Sequence, residues 1–214
     1  MGFSMKVFVT GGGGGIGKSV VETLKISHAS VVAPPSKELD LSSDFALKDY
    51  GEFDAFIHCA GINSVKEYDK LNQVELDNLF KVNTFSFLKL SSQLNIRHGG
   101  NIVAIGSLYA ESTKEGRVQY SMSKHALNGA VKTLALEMAK DRIKVNMVSP
   151  GFVNTPMTVK NNSQDRIDYL NNKIPLGLTE PSQISKLCLY LVTENQAITG
   201  QNITVDGGCS LKGL

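Results

Sequence analysis

Five consecutive glycines, Gly11 to Gly15, separate a short apolar run, Lys6–Val9, from an apolar-periodic stretch that begins at Ile16. A strand that enters a turn without Cβ atoms and leaves it as a helix opens an α/β fold. Such a turn aims backbone N–H groups and the positive helix end at a phosphate. The stretch "VTGGGGGIGKSVVETL" satisfies three phosphate-binding spacings at once. Gly12, Gly17, Lys18 and Ser19 fit the nucleotide-triphosphatase loop; Gly12, Gly14 and Gly17 fit G-x-G-x-x-G. Thr10, Gly11, Gly15, Ile16 and Gly17 fit T-G-x-x-x-G-I-G. The glycines alone do not choose among them.

The rest of the chain repeats the alternation. Short apolar runs predict strands at Lys6–Val9, Ser30–Ala33, Ala55–Cys59, Asn101–Ile105, Lys144–Val148 and Asn202–Val205. Helices are predicted between them, at Ile16–Ile26, Gln73–Leu94, Tyr120–Lys140 and Pro181–Val192. Continuous apolar strands alternating with helices imply a parallel sheet covered on both faces, a doubly wound α/β fold of Rossmann type. With 214 residues the chain suits one such domain, 1–214, in which residues 1–4 precede a second Met and read as a leader or cloning remnant.

One interval is too short. A parallel crossover takes a dozen or more residues, but in "APPSKELDLSSDFALKDYGE" the next strand-like segment, "KELDL", follows almost at once. The sheet is therefore expected to have a trimmed edge after its second strand, with a helix missing and any strand there short or irregular.

Composition narrows the function. Apolar residues make up 42% and charged residues 20%, and the net charge is +2, so no broad attraction to nucleic acid is implied. No apolar run approaches the ~20 residues of a membrane span, and no signal peptide is visible. Cys59, Cys188 and Cys209 are scattered and odd in number. They read as reduced thiols of a cytoplasmic protein, and the four histidines show no metal-ligand spacing.

The nucleotide-triphosphatase reading needs an acidic residue at another strand end to organise Mg²⁺. The predicted third and fourth strands run into "HCAG" and "GSLY", which hold none. The third spacing does find partners. Tyr120 and Lys124 of "YSMSK" stand one helical turn apart, and Ser107 ends a strand thirteen residues before Tyr120. With "TGGGGGIG" at 10–17, "CAG" at 59–61, Asn83 in "KVN", "SPGFVNTPM" at 149–157 and "ITVDGG" at 203–208, the chain resembles the classical short-chain dehydrogenases/reductases over nearly its whole length.

That resemblance implies hydride transfer between a nicotinamide cofactor and a small carbonyl or hydroxyl compound. Tyr120 would give or take the proton, and a nearby Lys124 cation would lower its pKa toward neutrality. Ser107 would donate to the substrate oxygen where charge develops. By resemblance, Lys124 also holds the nicotinamide ribose, Asn83 holds a water linking Lys124 to solvent, and these four form the catalytic set. Thr10, Gly11, Gly15, Ile16, Gly17, Cys59, Ala60 and Gly61 would line the dinucleotide site. Asp40 and Leu41 would meet the adenine, and Pro150, Gly151, Val153 and Thr155 the nicotinamide amide. The family usually writes Asn-Asn-Ala-Gly where this chain has His58-Cys59-Ala60-Gly61. His58 is expected to pack or hydrogen-bond within the sheet.

No carboxylate stands where the second strand ends, and Ser36 and Lys37 follow it. That favours NADP(H) over NAD(H). "IPLGLTEPSQIS…TGQNITVDGG" is similar to the C-terminal half of the 3-oxoacyl-acyl-carrier-protein reductases. The candidate substrates are a 3-oxoacyl thioester or a sugar- or polyol-like ketone, with specificity set by 154–177. A catalytically silent NAD(P)-binding regulator is the alternative, and the intact catalytic set argues against it. The resemblance further implies a homo-oligomer, a tetramer or dimer, paired through the Asn83 and Tyr120 helices.

Overall fold

The computed structural model describes residues 5–160 and 162–212; residues 1–4, the expected leader or remnant, lie outside them. Six parallel strands form one sheet in the order β2-β1-β3-β4-β5-β6. They are β1 (Lys6–Thr10), β2 (Ser30–Val32), β3 (Phe53–His58), β4 (Ile96–Ile105), β5 (Lys144–Pro150) and β6 (Asn202–Val205). Every strand pairs in parallel with its neighbour, with Thr10 opposite His58 and His58 opposite Ala104. Strand side chains alternate between faces. Val7, Val9, Ala55, Ile57, Val103 and Ile105 pack under α1 (Gly15–Ile26) and, later in the chain, Pro181–Thr193. Phe8, Phe56, Ile102, Ala104, Val145 and Met147 pack under the remaining long helices.

Those helices differ from the prediction in one useful way. The run predicted as Gln73–Leu94 is α2 (Gln73–Phe80), a π-turn (Lys81–Phe85) and α3 (Ser86–Gln93). A π-turn widens a helix locally and commonly marks a functional site; here it carries Asn83, fully buried. Helix α4 (Val118–Glu137) carries Tyr120 and Lys124. Two helices, α5 (Pro156–Lys160) and α6 (Gln164–Lys173), occupy what the sequence presents as a polar loop; α7 is Pro181–Thr193.

The trimmed edge is real. Among the described residues no strand and no helix lies between β2 and β3. The expected short strand at "KELDL" is replaced by turns, because Asp40 accepts from the Ser42 N–H at 2.9 Å and the Ser42 hydroxyl at 2.6 Å. Leu39 and Leu41 are nonetheless buried against the Phe8 cluster, worth about 1.5–3 kcal/mol each relative to exposure. Lys89 donates to the Phe45 carbonyl at 2.7 Å and lies 4.2 Å from that ring centroid. An irregular segment thus covers the face that a crossover helix would otherwise cover.

Candidate active site

All functional groups gather beyond the C-terminal ends of the strands, as open parallel sheets require. A cleft of about 940 Å³ is lined by Thr10, Gly11, Gly15, Ile16, Gly17, Ser36, Asp40, Leu41, Cys59, Ala60, Gly61 and Thr155. Gly11 has φ of +66°, and a Cβ there would stand 2.6 Å from the Ala60 nitrogen, so only glycine fits. A Cβ on Gly17 would overlap the Gly11 carbonyl oxygen; its absence lets α1 settle onto the strand-end loop. The first turn of α1 has no capping side chain, and the space beside Gly13 is open. Helix N–H groups therefore face the cleft with room for an anion. The third glycine spacing is the one this turn uses: Lys18 and Ser19 are ordinary helix residues, and Ser19 bonds the Ser185 hydroxyl of α7 at 3.0 Å.

The cleft continues into a cavity of about 140 Å³ that joins Ile16, Cys59, Gly61, Ser107, Tyr120, Lys124, Pro150, Gly151, Val153 and Thr155. Ser107 follows β4, and its oxygen accepts from the Tyr109 N–H at 3.2 Å. That leaves its own O–H to donate. Lys124 is 3% exposed and donates to the Ile105 carbonyl at 2.9 Å, with its ammonium 5.9 Å from the Tyr120 ring centroid.

Burial dominates the electrostatics. It pulls the Lys124 pKa down to about 8. It also holds the half-buried Tyr120 hydroxyl above the usual tyrosine range, opposed by its Ser107 hydrogen bond and by the Arg117 charge. Burial is the largest cause of that shift and the Lys124 charge is not among its causes, so the expected lowering of the Tyr120 pKa by Lys124 is not seen.

Asn83 lies beneath the cavity. Its Oδ1 accepts from the Ile62 N–H at 2.8 Å, and its Nδ2 donates to the Ile62 carbonyl and the Ser123 hydroxyl, each at 3.0 Å. Both amide protons are thus committed to fixing the loop after β3 against α4. His58 does as expected within the sheet. Its Nδ1 meets the Thr10 hydroxyl at 2.9 Å, and burial lowers its pKa to about 3, so the ring is neutral. Lys37 is exposed and is not part of the cleft lining.

Several lining groups have no counterpart in the sequence reading. Lys25, in the last turn of α1, borders the dinucleotide cleft. Asn63, Tyr109, Arg117 and Met157 join Ser107 and Tyr120 around a smaller cavity of about 110 Å³. One signal was present: Arg117 is a cation at the start of a helix, where the helix dipole disfavours it.

Comparison with known proteins fits this geometry. Residues 35–210 match the family described as enoyl-(acyl carrier protein) reductase. The chain is 36% identical to the 3-oxoacyl-(acyl-carrier-protein) reductase FabG of Buchnera aphidicola, over 80% of this chain and 72% of that one. It is 32% identical to carbonyl reductase family member 4 of Xenopus tropicalis, over 95% and 97% respectively. A crystal structure of a short chain dehydrogenase family protein from Francisella tularensis superposes with a TM-score of 0.82 at 26% identity, covering 98% of this chain and all of that one. The chain belongs to the short-chain dehydrogenase/reductase family. As a member it is an oxidoreductase that moves a hydride between a nicotinamide cofactor and a carbonyl or hydroxyl carbon. The short-chain dehydrogenase fold also explains why the site survives the trimmed edge: Ser107 just after β4, and Tyr120 and Lys124 on α4, lie on the far side of β1 and β3 from β2.

Proposed function

We propose that residues 1–214 form one oxidoreductase domain that reduces a small ketone with NADP(H), using Ser107, Tyr120, Lys124 and Asn83. The observation that carries this is a single cavity shared by Ser107, Tyr120 and Lys124, opening on one side to the dinucleotide cleft. The free helix end of α1, uncapped and beside open space, suits a pyrophosphate. The bound nicotinamide supplies the hydride. Ser107 donates a hydrogen bond to the substrate oxygen as charge builds there and keeps its proton. Tyr120, whose pKa burial raises, hands its proton to that oxygen. Lys124 would hold the ribose and places its ammonium 5.9 Å from the Tyr120 ring centroid, while Asn83 pins the loop that carries Cys59, Ala60 and Gly61.

The preference for NADP(H) rests on Ser36 and Lys25 in the cleft, and on Asp40, whose carboxylate is engaged by Ser42. The relatives named as 3-oxoacyl reductases make a 3-oxoacyl compound the first substrate class to try, ahead of a polyol-like ketone. A homo-oligomer is supported by exposed apolar side chains on the two helices: Phe85 and Leu88 before α4, and Met122 and Leu136 on it. An open hollow of about 740 Å³ beside Val118 and Met122 lies on the same flank and holds none of the site residues. Among the described residues no helix is long and apolar enough to cross a membrane, and we place the enzyme in the cytoplasm.

The test is Tyr120→Phe. It should bind NADP(H) as wild type does, more tightly than NAD(H), and lose turnover on the order of 10²–10⁴-fold. Near-normal turnover by the variant would overturn the assignment, and equal binding of the two cofactors would overturn the preference.

A further inference from the structure

The substrate cavity carries a positive charge that the chemistry so far does not use. Arg117 lines it beside Tyr109, Tyr120 and Asn63. Its Nη1 donates to the Asn63 amide oxygen at 2.7 Å, and its guanidinium lies 5.9 Å from the Tyr109 ring centroid. Among the described residues it pairs with no carboxylate, and none of the residues lining the cavity is acidic.

A half-buried guanidinium ordinarily acquires an anionic partner, because a neutral amide offers one acceptor to its five donors. Two further features deepen the positive field. Arg117 is itself the N-cap residue of the 20-residue helix α4, whose first turn holds no acidic side chain, so the positive helix end adds to the charge. Arg166 of α6 also acts electrostatically on Tyr109. Ser107 and Tyr120 line the same cavity, so an anion held by Arg117 belongs to a molecule whose carbonyl lies at the reacting position.

We infer that the substrate carries a carboxylate close to its reacting carbonyl, and that Arg117 is the residue that recognises it. This rests on the hydride-transfer reading and sharpens it: the 3-oxoacyl group enters as the free acid rather than as a neutral ester or thioester. A cavity of about 110 Å³ suits a short oxo acid. The guanidinium fork matches the two oxygens of a carboxylate. Asn63 positions the fork by holding one of its nitrogens.

The experiment compares 3-oxobutanoate with its methyl ester, which carry the same ketone and differ in charge. Affinity is read first, for the complex with NADP⁺, in which no hydride can be delivered. Wild type should bind the acid about 10- to 100-fold more tightly than the ester, the range of a charge-assisted pair. Arg117→Met should abolish that ratio with NADP⁺ affinity retained as the folding control, and Arg117→Lys should restore part of it. Turnover with NADPH is read second, and kcat/KM should favour the acid by a similar factor. An ester bound as tightly as the acid by wild type, or a preference that persists in Arg117→Met, overturns the inference. Preferred binding of the acid without any NADPH oxidation would leave Arg117 as the carboxylate site and overturn the catalytic reading of Tyr120 instead.

Discussion

The buried ammonium of Lys124 has a cost that the folded chain bears at neutral pH. Its pKa drops from the model-compound 10.5 to about 8 on burial, so between those values the unfolded chain holds more protons than the folded one. Stability must then rise with pH across that interval, and below pH 8 the full cost of the buried charge is present. Lys124→Met should be more stable than wild type at pH 7, with the difference shrinking as pH approaches 10. Urea unfolding of the cofactor-free protein measures it, and a pH-independent difference would contradict the burial argument. Enzymes commonly keep such a group for chemistry at the expense of stability. Ser107, Tyr120 and Lys124 were legible because their relations are local: a strand end, a helical turn and a fixed count between them. Arg117, Asn63 and Lys25 were not, because only the fold decides which distant side chains share a cavity.

The turn from β1 into α1 gives the sharpest prediction for a secondary-structure element. Gly17→Ala places a methyl against the Gly11 carbonyl, a backbone atom that cannot step aside, whereas Gly13→Ala adds a methyl to open space. Gly17→Ala should cost roughly 1–3 kcal/mol of stability, as overpacking does, and weaken binding of the nicotinamide cofactor. Gly13→Ala should change stability little. Thermal unfolding with cofactor titration of both variants checks the pair, and equal effects would refute the packing role assigned to Gly17. Elements whose apolar pattern is strong were read almost to the residue: β6 at Asn202–Val205 matches, and α7 differs by one position. β4 begins at Ile96 rather than Asn101; "RHGG" reads as a loop, and the strand passes it with Gly99 at φ +78° and a shift of register against β3. The π-turn at Asn83 and the helices α5 and α6 were invisible. The first arises from tertiary clamping of one amide, and the second pair lacks an apolar stripe, with only Leu170 buried in α6.

For the whole molecule, the exposed Phe85, Leu88, Met122 and Leu136 are 55%, 39%, 49% and 80% accessible in the single chain. Ala126 on α4 is exposed as well, whereas Ala130 and Leu134 of the same helix are half-buried against the core. Exposed apolar patches commonly mark association surfaces, which agrees with the proposed homo-oligomer. Sedimentation at micromolar concentration should give a dimer or tetramer, and Leu88→Glu with Met122→Glu should shift it toward one chain. A monomeric wild type would overturn the association. Fold class and the trimmed edge followed from alternation and spacing, whereas the strand order β2-β1-β3-β4-β5-β6 came from the structure.

The trimmed edge also bears on how the protein behaves in a crowded solution. Unpaired backbone at a sheet margin is a template on which another chain can add a strand, the first step toward cross-β deposits. Here β2, at one margin, runs for three residues, and Pro34 and Pro35 follow one residue beyond it. Proline has no N–H to offer a docking strand. By shedding a strand and a helix, the chain ends its sheet on a margin too short, and too quickly interrupted, to recruit a neighbour.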